Sequence, residues 1–565
     1  MKKLINDPAH VVREMLEGVV ALNPGAVLLA NEMVVVRAGL PDVAERPVAI
    51  LSGGGSGHEP AHAGYVGAGM LSAAIAGDVF TSPSTDAVLA ALRAAAGPAG
   101  ALLIVKNYTG DRLNFGLAAE LARAEGIPVE IVVVADDVAL KDTVPAERRR
   151  GIAGTVLVHK LAGAAAARGL PLGEVAELAR AGAAAVASMG ISLGSCTLPA
   201  VGHPGFVLGD TEIEVGLGIH GEQGVRRQAI APADALVATI LETMAADGRF
   251  ARGARVALLV NGLGATPPME LAIVTRAALA WLKAAGVTVE RAWSGTFLSA
   301  LDMPGFSLSV LAVDAARLAL LDAPTEALAW PRGGALNQAP LSSLSPTANA
   351  APAGGPVSPS GAELHRVARA VAHALIAAEP ELTTLDSVTG DGDLGASMVR
   401  AGDAILALRE EAFPTVCTGL AALATTLRRA IGGSSGPFYA TGLMRAARAL
   451  AEEDPPTNAA LADAFAAAVE AISDLGGAKP GDRTMIDALE PAAQAFRDAL
   501  ARGTPGSDAW NTAVQAGLAG AEATKSMTPR LGRASYLGER ALGHPDAGAV
   551  AVTVWLQAIG KAADA

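Results

Sequence analysis

Cysteine is nearly absent from this chain. Cys196 and Cys417 are the only two in 565 residues and stand far apart, so no disulfide framework is expected and a reducing, cytoplasmic setting fits. Aromatic residues make up only 3 %, and the helical stretches are rich in Ala, which predicts cores of small side chains and closely approaching helices. No run of 18 apolar residues occurs, so no membrane span is expected. Asn6, Asp7 and Pro8 interrupt any apolar stretch after Met-Lys-Lys, so no signal peptide is expected. Positive charge is in deficit: the net charge is −13, which argues against nucleic acid and against an anionic membrane as partners. No Gly-Lys-Ser/Thr tripeptide occurs, which excludes a P-loop. What remains is 51 % hydrophobic residues in a chain long enough for at least two domains.

One boundary stands out. Residues 333–360 are rich in Ala, Pro, Ser and Gly, carry no charge and show no periodicity, as a linker would. Before it (1–332), short apolar runs alternate with helical patterns. Pro47–Leu51, Ala101–Val105, Val129–Val134, Arg255–Val260 and Val287–Trp293 read as strands, the last two flanking a helix over Pro268–Ala285. This predicts an α/β part, two-lobed from about Gly182, with mostly parallel sheets covered by helices and ligands at the carboxyl ends of strands. After it (361–565), apolar residues recur at helical spacing, as in Leu420–Ile431, Asn458–Leu475 and Ala492–Arg502, which predicts an all-α bundle of about eight helices.

The sharpest local signal is Leu385–Gly395, with Asp386, Asp391 and Asp393 inside eight residues and no Lys or Arg among them. Such oxygen donors repel one another unless a hard divalent cation sits between them, and magnesium with nucleotide phosphates suits that chemistry. The plain reading of Asp-Gly-Asp is a surface turn; Asp386 upstream favours metal. An EF-hand is excluded, because the twelfth position from Asp391 is Gly402 rather than Glu. In the first part, the strand ending at Leu51 runs into Ser52-Gly53-Gly54-Gly55-Ser56-Gly57-His58, where glycine amides can hold a polar ligand or simply make a tight turn. Thr211–His220 reads as a strand with Gly216 and Gly218 below His220, a ligand-contacting or a purely structural histidine. Gly216-x-Gly218-x-x-Gly221 matches a dinucleotide fingerprint, but no helix signal follows. Gly432–Gly436 reads as a helix-opening anion site or a bare turn. Gly481–Asp487 reads as an N-cap and solvated turn or part of a site. Arg533 is either a phosphate contact or a solvated surface arginine.

Together these segments resemble the ATP-dependent dihydroxyacetone kinases over nearly the whole chain. Gly-Gly-Gly-Ser-Gly-His-Glu-Pro at 53–60, Lys106 to Asp111 and Gly-Leu-Gly-Ile-His-Gly-Glu at 216–222 resemble the substrate-binding K domain. Gly-Asp-Gly-Asp-Leu-Gly at 390–395, Gly-Asp-Arg-Thr-Met at 481–485 and Gly-Arg-Ala-Ser-Tyr at 532–536 resemble the nucleotide-binding L domain, an eight-helix barrel in the family. The resemblance implies that His220 captures the substrate carbonyl as a hemiaminal, that Asp111 is the general base and that His58 assists transfer. Gly55, Ser56, Gly57, His58, Lys106 and Asp111 would line the substrate site. Asp386, Asp391 and Asp393 would hold Mg2+. Asp391, Leu394, Gly395, Ala396, Ser397, Ser434, Ser435, Gly476, Met485, Arg533, Asp546, Ala547 and Gly548 would hold ATP. The family is commonly a homodimer in which nucleotide and substrate domains must come together. Gln223 replaces a Pro common after Gly-Glu, and no segment resembles a phosphohistidine carrier, so ATP is the expected donor. The alternatives are a kinase for erythrulose or glyceraldehyde, an FAD-cleaving lyase forming cyclic FMN, and a non-catalytic sensor.

Overall fold

The computed structural model describes residues 2–331, 333–337, 356–451 and 453–563, apart from the side chain of Arg533. Most of the expected linker, 338–355, lies outside the described residues. The chain divides into two compact units, 1–342 and 343–565.

The first unit holds two six-stranded sheets. In chain order, β1 (Ala26–Leu28), β2 (Val34–Arg37), β3 (Ala49–Ser56), β4 (Ala73–Val79), β5 (Ala101–Lys106) and β6 (Val129–Val134) make the first, in the spatial order β1-β2-β4-β3-β5-β6. β4, β3, β5 and β6 are parallel, whereas β1, β2 and β4 pair antiparallel. Helices cover both faces, which is why β5 is an uninterrupted apolar run. Its Leu102 and Ile104 pack into a core with the helix Thr155–Ala167. Leu103 and Val105 pack on the other side with Thr85–Ala95 and Thr109–Ala124.

The second sheet contains β7 (Val186–Ser192), β8 (Glu212–Val215), β9 (Arg226–Ala229), β10 (Arg255–Gly262), β11 (Thr288–Gly295) and β12 (Gly305–Ala312), in the order β11-β10-β12-β7-β8-β9. Here the mostly parallel expectation fails. Only β10 and β11, joined by the helix Pro268–Ala284, are parallel; every other pair is antiparallel. β12 inserts between β10 and β7, a choice of partner that local pattern does not encode. The strand expected over Thr211–His220 is also cut short. Gly216 adopts φ +71, the left-handed region open to glycine; β8 stops at Val215, and residues 216–222 form an irregular loop. The alternation of faces expected through His220 therefore does not apply.

The second unit is helical. Its described α-helices are Pro359–Ala377, Glu379–Thr389, Leu394–Leu406, Val416–Ala430, Ser435–Ala449, Asn458–Gly476, Ile486–Ala501, Gly506–Ala523 and Ala547–Ala563. These are nine segments. The first two are separated by Ala378 alone, with Pro380 unable to donate to the preceding turn. Alanine fills much of the interior: Ala372, Ala401, Ala488, Ala492, Ala549 and Ala551 are buried. Small residues let helices meet closely, and a Cβ on Gly402 would stand 2.9 Å from the Ala372 carbonyl oxygen. The helices enclose an apolar cavity of about 630 Å³ walled by residues such as Leu420, Tyr439 and Trp555. Among the described residues no helix is long and apolar enough to cross a membrane.

Candidate active site

In the first unit, chemistry gathers at the carboxyl ends of β3 and β5. Lys106 ends β5, and Asp111 lies in the first turn of the helix that follows. Gly53, Gly54 and Gly55 are not a turn, as their composition suggests, but strand residues paired with β4. Their lack of side chains is required by crowding. A Cβ on Gly54 would stand 2.8 Å from Lys106 Nζ and 3.3 Å from Asp111 Oδ2, and one on Gly55 would stand 2.5 Å from the Thr81 amide nitrogen. Ser56 Oγ donates to the Gly77 carbonyl, and the Gly57 amide donates to Glu59. The segment is therefore not an open nest of amides.

Lys106 is fully buried, and its ammonium has no hydrogen-bond partner among the described residues. Burial lowers its pKa, while Asp111 and Glu59 oppose that. Burial raises the Asp111 carboxyl, with Lys106 pulling it back. His58 is also fully buried. Its Nδ1 lies 2.8 Å from the Ser299 carbonyl oxygen; a carbonyl only accepts, so Nδ1 carries the proton. Burial, then Lys106 and His220, hold His58 well below its ordinary pKa. It is neutral, and Nε2 offers a lone pair with no described partner.

His220 stands beside it, with ring centroids 4.9 Å apart. The His220 ring also meets the edges or faces of Tyr108 at 4.5 Å and Phe80 at 5.2 Å. Burial, Lys106 and Arg150 lower its pKa to about 3, so the imidazole is neutral and nucleophilic near pH 7. The 216–222 loop is held by its own polar contacts. Glu222 Oε2 accepts the His220 amide at 2.8 Å, and Arg150 donates to the Gly216 carbonyl at 2.8 Å. Arg150 in turn pairs with buried Asp137 at 2.7 Å.

In the second unit, Asp386 lies in the last turn of its helix, Asp391 in the loop and Asp393 at the cap of the next helix. One carboxylate oxygen from each lies within 4.8 Å of the others. Gly392 adopts φ +77 to turn the chain between them, and Asp386 Oδ2 accepts the Leu394 amide at 3.1 Å. Three converging carboxylates fit a hard divalent cation. They open into a cleft of about 370 Å³ also lined by Leu394, Ser397, Ser434, Ser435, Gly476, Met485, Asp546, Ala547 and Gly548. Burial raises Asp546 to about 6.

Thus His58, Lys106, Asp111 and His220 come together, as do the three aspartates expected to hold metal with most of the expected nucleotide residues. Gly395 and Ala396 do not line the cleft. Gly395 is buried where a Cβ would stand 3.0 Å from the Thr383 amide nitrogen, on the preceding helix, and Ala396 is exposed. The Arg533 side chain lies outside the described residues. Sequence reading missed Phe80, Tyr108, Glu59, Arg150 and Arg483. Tyr108, Glu59 and Arg483 sit inside the motifs at 106–111, 53–60 and 481–485. Phe80 and Arg150 carry no local signal, because only the fold brings them to His220.

Residues 17–329 match the Dak1 domain model and 388–561 the DAK2 domain model. The chain is 45 % identical to triokinase/FMN cyclase of Homo sapiens, covering 99 % of this chain and 98 % of that protein. It is 36 % identical to D-erythrulose kinase of Mycolicibacterium smegmatis, covering 98 % and 97 %. The crystal structure of the dihydroxyacetone kinase from C. freundii in complex with AMP-PNP and Mg2+ aligns over 99 % of both chains, at 34 % identity and a TM-score of 0.62. With a Dak1 and a DAK2 domain fused in one polypeptide, the chain belongs to the dihydroxyacetone kinase family.

Proposed function

We propose that this protein transfers the γ-phosphoryl group of ATP to dihydroxyacetone, held as a hemiaminal on His220. The observation that carries the reading is the half-buried, neutral His220 imidazole beside buried His58, Lys106 and Asp111. A neutral ring nitrogen adds to the ketone carbon, the carbonyl π pair moves to oxygen, which takes a proton, and the ring gives up its N–H proton. Glycerol has no carbonyl and cannot be held this way. Asp111 then accepts the proton of the terminal hydroxyl as its oxygen attacks the γ-phosphorus and ADP departs. His58 Nε2 accepts a hydrogen bond from the substrate, and Lys106 sets the charge around it. Asp386, Asp391 and Asp393 are the residues that would hold magnesium, which supplies charge neutralisation at the phosphates. The cleft that includes Ser434, Ser435, Met485 and Asp546 to Gly548 takes the nucleotide.

The protein as proposed is a cytoplasmic homodimer. The same capture chemistry suits erythrulose or glyceraldehyde, and the cyclase named for the human relative keeps FAD cleavage as a second reading. Steady-state turnover with magnesium-ATP tests the proposal. His220→Ala and Asp391→Ala should each abolish dihydroxyacetone phosphorylation, and full activity in both would refute it. Higher kcat/KM for a tetrose ketose would move the substrate assignment while keeping the mechanism. Release of AMP with cyclic FMN from FAD would favour the lyase reading.

A further inference from the structure

The turn Gly481–Asp487 has a use that the proposed reaction does not exhaust. Arg483 is 1 % exposed and adopts φ +61, a left-handed conformation that a residue with a Cβ seldom takes. Its guanidinium reaches three main-chain carbonyls. Nε lies 3.3 Å from Thr524 O, and Nη2 lies 3.0 Å from both Ala541 O and His544 O. The turn beneath is pinned by buried Asp487, which accepts the amides of Gly481 at 2.5 Å and Thr484 at 2.8 Å.

The Thr524 and His544 carbonyls bracket one segment, and the Ala541 carbonyl lies inside it. Residues 525–543 contain little regular structure beyond short 3-10 turns, and the stretch Arg533–Ala541 is broken at Gly538. This segment brings Leu531, Gly532 and Ala534 to the cleft. Its far end is tied to its near end, since the Asp546 amide donates to Thr524 Oγ1 at 2.8 Å. A planar cation with several diverging donors can grip carbonyls from separate turns at once; an ammonium on a flexible stem is less suited to doing so.

We propose that Arg483 is a positioning residue for the nucleotide, a clasp that holds 525–543 so that Gly532, Ala534 and Asp546 to Gly548 face the cleft. This rests on the reading that the cleft takes ATP. It acts through main-chain carbonyls at the edge of the cleft, which Arg483 also lines.

The test compares the full-length protein with Arg483→Gln, Arg483→Lys and Thr524→Val, which cuts the neighbouring tie. Amide hydrogen exchange is measured without nucleotide, and KM for ATP, KM for dihydroxyacetone, kcat and the Kd of magnesium-AMP-PNP are measured in parallel. Arg483→Gln should accelerate exchange within 525–545 while the helices Asn458–Gly476 and Gly506–Ala523 stay protected. It should raise KM for ATP and the AMP-PNP Kd about tenfold or more, the effect expected when charge-assisted hydrogen bonds are lost. KM for dihydroxyacetone should hold steady. Arg483→Lys should fall between, and Thr524→Val should loosen the same segment more weakly. Unchanged exchange in 525–545 in the Arg483 variants would overturn the clasp. So would loss of protection across the whole helical unit together with a silent Thr524→Val. If the unaltered protein bound no AMP-PNP, the nucleotide role would fall, while the exchange data would still decide whether Arg483 clasps the segment.

Discussion

The two candidate half-sites are built on opposite physical plans. Around His220 the chain removes water: His58 and Lys106 are fully buried, and three aromatic or imidazole rings press on the His220 ring. Around Asp391 it keeps charge near solvent: Asp391 and Asp393 are exposed, and the cleft is edged by loops and helix termini. The difference follows from the chemistry each plan suits. Addition to a carbonyl needs a neutral nitrogen, and desolvation beside a cation enforces neutrality. A cation with its phosphates brings its own compensating charge, so carboxylates that receive it can wait in water.

Single substitutions should separate the two plans. The largest effect is expected for His220→Ala: kcat/KM for dihydroxyacetone should fall about a thousandfold or more, as for loss of a covalent catalyst. Binding of magnesium-AMP-PNP, measured calorimetrically, should not change. Asp391→Ala should show the mirror image, with nucleotide binding lost and carbonyl capture intact. Mixing the two variants should restore part of the activity if the units of different chains cooperate, and none if each chain works alone.

Next in size, Arg150→Ala should lower kcat/KM by about ten- to a hundredfold, because the His220 loop loses the hold that Arg150 has on it through Gly216 O and Glu222. Arg150→Lys should recover part of it, and nucleotide KM should stay constant. The pH dependence should distinguish the histidine from the base. His220, with a pKa of about 3, stays competent throughout the neutral and mildly acidic range. Asp111 is active ionised and its pKa is raised, so activity should fall with acid above the ordinary carboxylate pKa, and the limb should vanish from the carbonyl-binding step.

Another effect concerns stability. His159 is buried, and its pKa is lowered from 6.5 to about 3. The unfolded chain therefore binds a proton that the folded chain refuses between those values. Its contribution is fully present above pH 6.5 and is lost as pH falls toward 3, on the order of a few kcal/mol. Denaturant melts followed on the first unit should weaken across that window, and His159→Phe should flatten the slope.

How much of this was readable in sequence follows the same division. The aspartate cluster is local: eight residues and a glycine turn bring its oxygens together, so spacing alone announced it. The fused family architecture was legible from motifs spread along the chain, β5 from a continuous apolar run and β6 from an apolar run broken only by Glu130. The His220 side is harder to read, because His58, Phe80, Lys106, Arg150, His220 and Ser299 meet only when two sheets have formed. Gly53–Gly55 looks like a turn because glycine's usual reason is conformational; here crowding by residues 75, 80, 81 and 106 requires glycine at all three, and only Gly54 has a positive φ as well. The antiparallel second sheet was missed because strand partners are chosen by tertiary contacts. Arg483 was passed over because a charged residue in a Gly-Asp-Arg turn ordinarily faces water, and this one is buried.

The proposed reaction stands on capture of the substrate carbonyl by His220. Carbon-13 NMR of dihydroxyacetone labelled at the carbonyl, bound to the full-length protein and to His220→Ala, tests it most directly. The account requires the bound carbon to leave the ketone region for the tetrahedral region in the unaltered protein only. A bound carbon that keeps its ketone shift, or one that turns tetrahedral without His220, would contradict it.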